Sequence, residues 1–173
     1  KQNHPKALFI LGKCLINGKF VQKDIQKGVH YLEIAACNNH IRAQFLLGFI
    51  YISNIHVSQD INKAIFYFTH AADQNDLDAQ LTLGYIYLVD RFVPHNFEKA
   101  FYYNTLAANK NHPEALYNLG IMYRYGKYVP PNINKSIEYC TRAANLNDKN
   151  AQFQLGLIYY FGNKVTIDID RAI

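Results

Sequence analysis

The apolar positions of this chain fall on two stripes that take turns along the sequence. Between Ile41 and Asn54, residues Ala43, Leu47, Ile50, Tyr51 and Asn54 follow the 4-3-1-3 spacing of an amphipathic helix. Between Ile61 and Ala72, a second stripe is formed by Ile61, Ala64, Ile65, Phe68, Ala71 and Ala72. Short polar stretches separate them. The pattern predicts pairs of helices: helix A near 5–17, 41–53, 77–89, 113–125 and 149–161, and helix B near 24–38, 60–75, 96–111, 132–147 and 168–173.

The pairs are copies of one another. Leu-Gly occurs at Leu11-Gly12, Leu47-Gly48, Leu83-Gly84, Leu119-Gly120 and Leu155-Gly156, always 36 residues apart. Alanines precede the glycines at Ala7, Ala43, Ala79, Ala115 and Ala151, and valines follow at Val21, Val57, Val93, Val129 and Val165. An Ala-Ala pair recurs from Ala35-Ala36 to Ala143-Ala144, and a tyrosine at Tyr51, Tyr87, Tyr123 and Tyr159, with Leu15 in the first copy. Four full repeats and a partial fifth are present. One such unit cannot bury its stripes alone, so the units must stack into an all-α solenoid, a right-handed α-α superhelix of 36-residue helix-turn-helix repeats. Neither end carries a polar capping helix, which predicts a longer parent protein or self-association through the ends.

A glycine inside a helix costs about 1 kcal/mol relative to alanine. Gly12, Gly48, Gly84, Gly120 and Gly156 are therefore expected to sit where a neighbouring backbone or a large side chain, such as the tyrosine of an adjoining helix, takes the space. Helix B is expected to be capped by Asp24, Asp60, Asn96, Asn132 and Asp168. Helix A is expected to be capped by His4, His40 and His112 or by Asp76 and Asp148, with Pro5 and Pro113 at the first helical position. A cation three residues after each B cap, at Lys27, Lys63, Lys99, Lys135 and Arg171, opposes the helix dipole. An ion pair with the capping aspartate accounts for only some of these, since two caps are asparagine.

Bulk chemistry narrows the function without naming it. Half of the 173 residues are hydrophobic, so the chain folds. The net charge of +5 comes from scattered lysines and arginines rather than a block, which speaks against nucleic acid. No apolar run is long enough to span a bilayer. Three cysteines, Cys14, Cys37 and Cys140, show no metal or disulfide spacing; they read as buried free thiols and favour a reducing compartment, with a secreted origin left open. His4, His40 and His112 share one register, but equivalent points in stacked repeats lie on the order of 10 Å apart, too far to share a metal ion. Zincin, phosphate-loop and nucleophile-elbow motifs are absent, so no catalytic residue, metal or cofactor is assigned.

The pattern A-x-x-x-L-G-x-x-Y, V-x-x-D-x-x-K-A and A-A resembles the Sel-1-like repeat, a relative of the tetratricopeptide repeat. "AQFQLGLIYYFG" and "ALYNLGIMYRYGKYVPPNINKSIEYCTRAA" carry the resemblance most fully. The family's loop has G-x-G-V. Here Gly18, Gly126 and Gly162 hold the first glycine, with Asn54 and Asp90 in the other repeats. Phe20, His56, Tyr128 and Lys164 replace the second, so the A-to-B turn is expected to differ.

The resemblance implies a non-catalytic scaffold or adaptor for another protein or peptide. A regulatory or targeting segment of a larger enzyme, such as a kinase or a ubiquitin-ligase complex, is the alternative; a bacterial secreted effector or cell-envelope adaptor is a second. By analogy with tetratricopeptide repeats, a concave groove is lined at three register positions. The first is Phe9, Phe45, Leu81, Tyr117 and Phe153; the second is Lys13, Phe49, Tyr85, Ile121 and Leu157; the third is Ile16, Ile52, Leu88, Arg124 and Tyr160. This lining is apolar and aromatic, with Arg124 placed to read an acidic group.

Overall fold

The computed structural model describes residues 4–89 and 92–161. Nine helices occur among them: α1 (Pro5–Asn17), α2 (Ile25–Cys37), α3 (Ile41–Ser53), α4 (Ile61–Asp73), α5 (Leu77–Leu88), α6 (Phe97–Ala108), α7 (Pro113–Tyr125), α8 (Ile133–Asn145) and α9 (Lys149–Phe161). Odd-numbered helices are the A helices and even-numbered ones the B helices. The fold is an all-α solenoid of helix pairs. It divides into two compact units, Lys1–Leu83 and Gly84–Ile173, with the division inside α5. In the first unit α1 packs on α2, α2 on α3 and α3 on α4; in the second, α6 packs on α7, α7 on α8 and α8 on α9. The fifth helix B, with Asp168 and Arg171, and the turn residues Asp90, Gly162 and Lys164 lie outside the described residues.

Each of the four described repeats is closed by the same backbone hydrogen bonds, which explains why its length does not vary. At the A-to-B turn, the cap N–H of Asp24, Asp60, Asn96 and Asn132 donates to the carbonyl of Leu15, Tyr51, Tyr87 and Tyr123, at 3.0, 2.9, 3.0 and 2.8 Å. The side chains of those four caps accept from the N–H of Lys27, Lys63, Lys99 and Lys135. At the B-to-A turn, Asn39, Asn75, Asn111 and Asn147 all adopt left-handed backbone, with φ of 57, 65, 57 and 64°. The next N–H reaches back to Ala35, Ala71, Ala107 and Ala143 in the six-to-one bond of a Schellman motif. The left-handed asparagines themselves recur every 36 residues.

The A-to-B turn does vary, as its sequence predicts. Gly18, Asn54 and Gly126 are all left-handed C-caps. Phe20 and Tyr128 are left-handed as well, whereas the equivalent His56 is not.

The bare positions meet helix B of their own repeat. A methyl on Gly12 would lie 2.8 Å from the Gly28 carbonyl oxygen and 2.9 Å from Leu32; on Gly48, 2.6 Å from Phe68; on Gly84, 2.7 Å from Asn104; on Gly120, 2.6 Å from the Cys140 sulfur. The partner is always the residue 20 positions on, and in none of these four repeats is it the tyrosine expected above. In repeat one the nearest atom is a backbone oxygen, whereas in repeat two a whole phenylalanine ring lies against the glycine. What Gly156 meets lies outside the described residues.

The lysines that follow the B caps cover tyrosines. Lys63, Lys99 and Lys135 place Nζ 5.0, 5.0 and 4.9 Å from the ring centroids of Tyr51, Tyr87 and Tyr123. Beneath each, a second ring stacks nearly parallel: Tyr67, Tyr103 and Tyr139, at 5.9, 6.2 and 5.6 Å. Attraction to the ring face, on the order of 0.5–1 kcal/mol at exposed sites, offsets the unfavourable helix dipole. This account holds whether the cap is aspartate or asparagine.

Two sequence expectations need correction. Of the histidine caps, only His40 acts as one, its Nδ1 accepting from Ala43 N–H at 3.1 Å. The imidazoles of His4 and His112 accept no capping hydrogen bond, and each precedes a proline that starts its helix without needing an N–H acceptor. Of the three free cysteines only Cys140 is buried; Cys14 is half-buried and Cys37 exposed, because Cys37 is the last residue of its helix.

Gly12→Ala tests the close approach. Overpacking against a backbone oxygen should outweigh the helix-propensity gain and destabilise the protein by about 1–3 kcal/mol in urea unfolding. An equally stable or more stable variant would contradict the packing. His40, stacked on Phe9 at 4.7 Å, is held below its ordinary pKa by burial and by Lys6, against its own backbone hydrogen bond. The folded state therefore favours neutral imidazole. That contribution is present above the unfolded pKa of about 6.5 and is lost as pH falls through the folded value. His40→Asn keeps a cap without a titrating group. It should lose less stability than the parent between about pH 8 and about pH 5; equal losses would refute the assignment.

Candidate functional site

In the first unit, the expected groove residues form an aromatic cluster rather than an open row. Phe45 and Phe49 pack edge-on at 5.0 Å, and each meets Phe68 of α4 at 5.7 Å. Phe68 is fully buried, so it draws both rings partly onto helix B; Phe45 is half-buried and Phe49 keeps an exposed edge. Phe9 stacks on His40 and carries Lys13 above its ring at 5.3 Å. Ile16 is buried and Leu81 half-buried.

In the second unit the same register is wetter and more polar. Tyr85 is exposed, and Leu88, Tyr117, Ile121 and Arg124 are half-buried. Phe153 and Tyr160 on α9 stand out, 69% and 62% exposed. Tyr125, which the register did not predict, is exposed as well, and its ring carries the Arg124 guanidinium at 5.5 Å. Burial raises the Tyr117 phenol, and Cys140, Asp148 and Tyr125 add to the shift. Tyr117 and Arg124 of α7 thus lie near enough to Cys140 of α8 to interact with it electrostatically, with Tyr125 beside Arg124. The thiol itself is pushed up to about 11 by burial, with Ser136 and Arg124 acting in the opposite direction, so it is protonated and a poor nucleophile.

Several structural residues escaped the sequence reading although they carry the same period. Gln44 and Gln80, buried, each donate to an alanine carbonyl of the preceding B helix, Ala36 and Ala72, at 3.1 and 3.2 Å; Gln152 does so to Ala144 at 3.4 Å. They stitch one repeat to the next. Tyr67, Tyr103 and Tyr139 are likewise 36 apart and would have been found by extending the register search into helix B. On the B-helix side of the first unit, a cleft of about 160 Å³ is lined by Ala36, Cys37, Asn39, Gln44, Phe66, Tyr67 and His70. Burial, together with Glu33 and Cys37, pushes the Tyr67 phenol up to about 12. Among the described residues no cluster of three metal-ligating side chains occurs, and no helix is long and apolar enough to cross a membrane.

Comparison with known proteins agrees with this geometry. The Sel1 repeat model matches residues 5–40, 41–76, 77–112, 113–148 and 149–173, the boundaries that the structure draws between helix pairs. The crystal structure of a Sel1 repeat protein from Oxalobacter formigenes superposes with a TM-score of 0.89 at 28% identity, covering 99% of this chain and 49% of that one. A protective antigen of uropathogenic Escherichia coli with an SLR fold gives 0.87 at 28% identity, over 99% of this chain and 37% of that one. Cysteine-rich protein B of Helicobacter pylori gives 0.55 at 25% identity, over 78% and 96%. The sequence therefore spans half or less of the first two proteins' length. No curated relative matches it. Sel1 repeat proteins are generally protein-interaction scaffolds, and their fold is typically non-catalytic. With every repeat matched, the chain belongs to the Sel1 repeat family.

Proposed function

We propose that this chain is a non-catalytic scaffold that binds a segment of another protein on its A-helix face, with the second unit supplying the principal contact surface. The observation that carries this reading is that the A helices of that unit expose aromatic rings, Tyr125, Phe153 and Tyr160 among them, beside the half-buried Tyr117 and Arg124. Aromatic and arginine side chains are the residues that dominate binding at protein interfaces, because they bury large area with few rotatable bonds. The Lys-Tyr-Tyr stacks hold Tyr87, Tyr103, Tyr123 and Tyr139 in contacts within their own repeats. Tyr85, Leu88 and Ile121 complete the surface proposed on the second unit. Phe45, Phe49 and Leu81 are the equivalent positions of the first.

Peptides selected against the folded protein provide the test. Replacing Tyr117 and Arg124 together by alanine should weaken a selected peptide by about tenfold or more, as expected when hot-spot side chains are removed. The circular dichroism melt should stay cooperative. Unchanged affinity in the folded double variant would refute the assignment of the surface.

A further inference from the structure

Each repeat serves as a control for the others, and one position on helix B differs in kind between them. In the second unit Arg142 of α8 is half-buried. Its guanidinium lies over the Tyr139 ring, 5.6 Å from the centroid, and its Nη2 donates to Asn111 Oδ1 at 3.2 Å. Asn111 is the left-handed turn residue between α6 and α7, so the arginine reaches from its own repeat to the one before. It adds a second cation to the stack of Lys135, Tyr123 and Tyr139.

The first unit has the same frame without the arginine. Two repeats earlier, the counterparts of Arg142, Tyr139 and Asn111 are His70, Tyr67 and Asn39. All three line the cleft of about 160 Å³. Histidine is shorter than arginine, and His70 turns its ring edge-on to Phe66 at 4.4 Å. The cleft therefore occupies, in the first unit, the gap that Arg142 crosses in the second.

The walls suit a flat cation. Tyr51 stacks on Tyr67 at 5.9 Å and takes no part in the cleft, which opens on the rest of the Tyr67 ring. Phe66, 55% exposed, stands edge-on to Tyr67 at 5.3 Å and supplies a second ring. Asn39 has the left-handed backbone of Asn111 and carries the same amide oxygen, an acceptor. Gln44 is fixed at both ends, donating to the Ala36 carbonyl at 3.1 Å and accepting from Gln74 at 2.7 Å, so the cleft is preformed. Charge agrees with this lining. Glu33 accepts from the Tyr51 hydroxyl at 2.8 Å, beside the Tyr51–Tyr67 stack. Its counterparts are Thr69, Thr105 and Thr141, so of these four repeats only the one beside the cleft has a carboxylate here. Lys63, the cation of this stack, lies over Tyr51 and not in the cleft.

We infer that the cleft between α2 and α4 binds an arginine side chain of a partner protein, its guanidinium set against Tyr67 and donating to Asn39 Oδ1 as Arg142 does within the second unit. A guanidinium is planar, so it packs on a ring and donates hydrogen bonds in its own plane at the same time; an ammonium group does not. The site belongs to the first unit and does not rest on the A-helix face of the second.

Three tripeptides test it: acetyl-Gly-Arg-Gly-amide, the same peptide with citrulline, which is neutral and of similar shape, and the same peptide with lysine. Titrations followed by the Asn39 side-chain amide and Tyr67 ring resonances read the site directly. The arginine peptide should shift these signals and bind about tenfold more tightly than either control. His70→Arg supplies the guanidinium from the chain itself and should fill the cleft. Asn39→Gly keeps the left-handed turn and removes the acceptor. Each should abolish the preference for arginine, with the folded state checked by circular dichroism. An arginine peptide that binds no more tightly than a control, or not at all, would overturn the site. Arginine-selective binding that survives both substitutions would place it elsewhere and equally refute it.

Discussion

Helix A and helix B of each repeat approach so closely that one of them must give up a side chain. The glycine of helix A does so, and the residue 20 positions later fills the space: Leu32, Phe68, Asn104 or Cys140. The rest of the repeat follows from that contact. The turn after helix A must be short enough to return the B cap to the carbonyl of Leu15, Tyr51, Tyr87 or Tyr123. Helix B must then end at a left-handed asparagine so that the next A helix starts in the same register. A single inserted residue would rotate helix B by about 100° and turn its small residues away from the glycine. The constant spacing of the five Leu-Gly pairs reflects this intolerance.

The edges of the repeat recur, but its centre does not. Caps, lysine-covered tyrosines and glutamine stitches reappear from repeat to repeat, whereas the residue facing the glycine runs from aromatic to polar. In the first unit that residue is Leu32 or Phe68, and the groove positions Phe45 and Phe49 pack on Phe68 as an aromatic cluster. In the second it is Asn104 or Cys140, and the surroundings become polar: Asn104 accepts from Asn118, while Ser136, one turn before Cys140, has a buried hydroxyl. A uniform scaffold thus carries local surfaces of different chemistry, which suits a family that works by binding.

Much of the fold is legible in the sequence because it depends on local, repeated constraints. Helix A bounds, B caps and the 36-residue register follow from periodicity and turn chemistry alone. The partner of the glycine was not legible, because Leu, Phe, Asn and Cys share no property that a pattern could reveal; only the packing shows that they occupy one place. The histidine caps misled for a related reason. His4, His40 and His112 look equivalent, but Pro5 and Pro113 alter the start of two of the helices. On the surface proposed here, register singles out Tyr117, Arg124, Phe153 and Tyr160 but not the exposed Tyr125. Tyr125 lies outside the three groove registers.

The central claim is that the bare positions exist for the neighbouring side chain, and a double-mutant cycle on Gly48 and Phe68 tests it most directly. In the parent, Gly48→Ala should destabilise, because the new methyl would lie 2.6 Å from the Phe68 ring. In a folded Phe68→Ala background the space is empty, and the same substitution should become stabilising, approaching the roughly 1 kcal/mol that alanine gains over glycine in a helix. An identical cost in both backgrounds would show that the glycine serves something other than this contact.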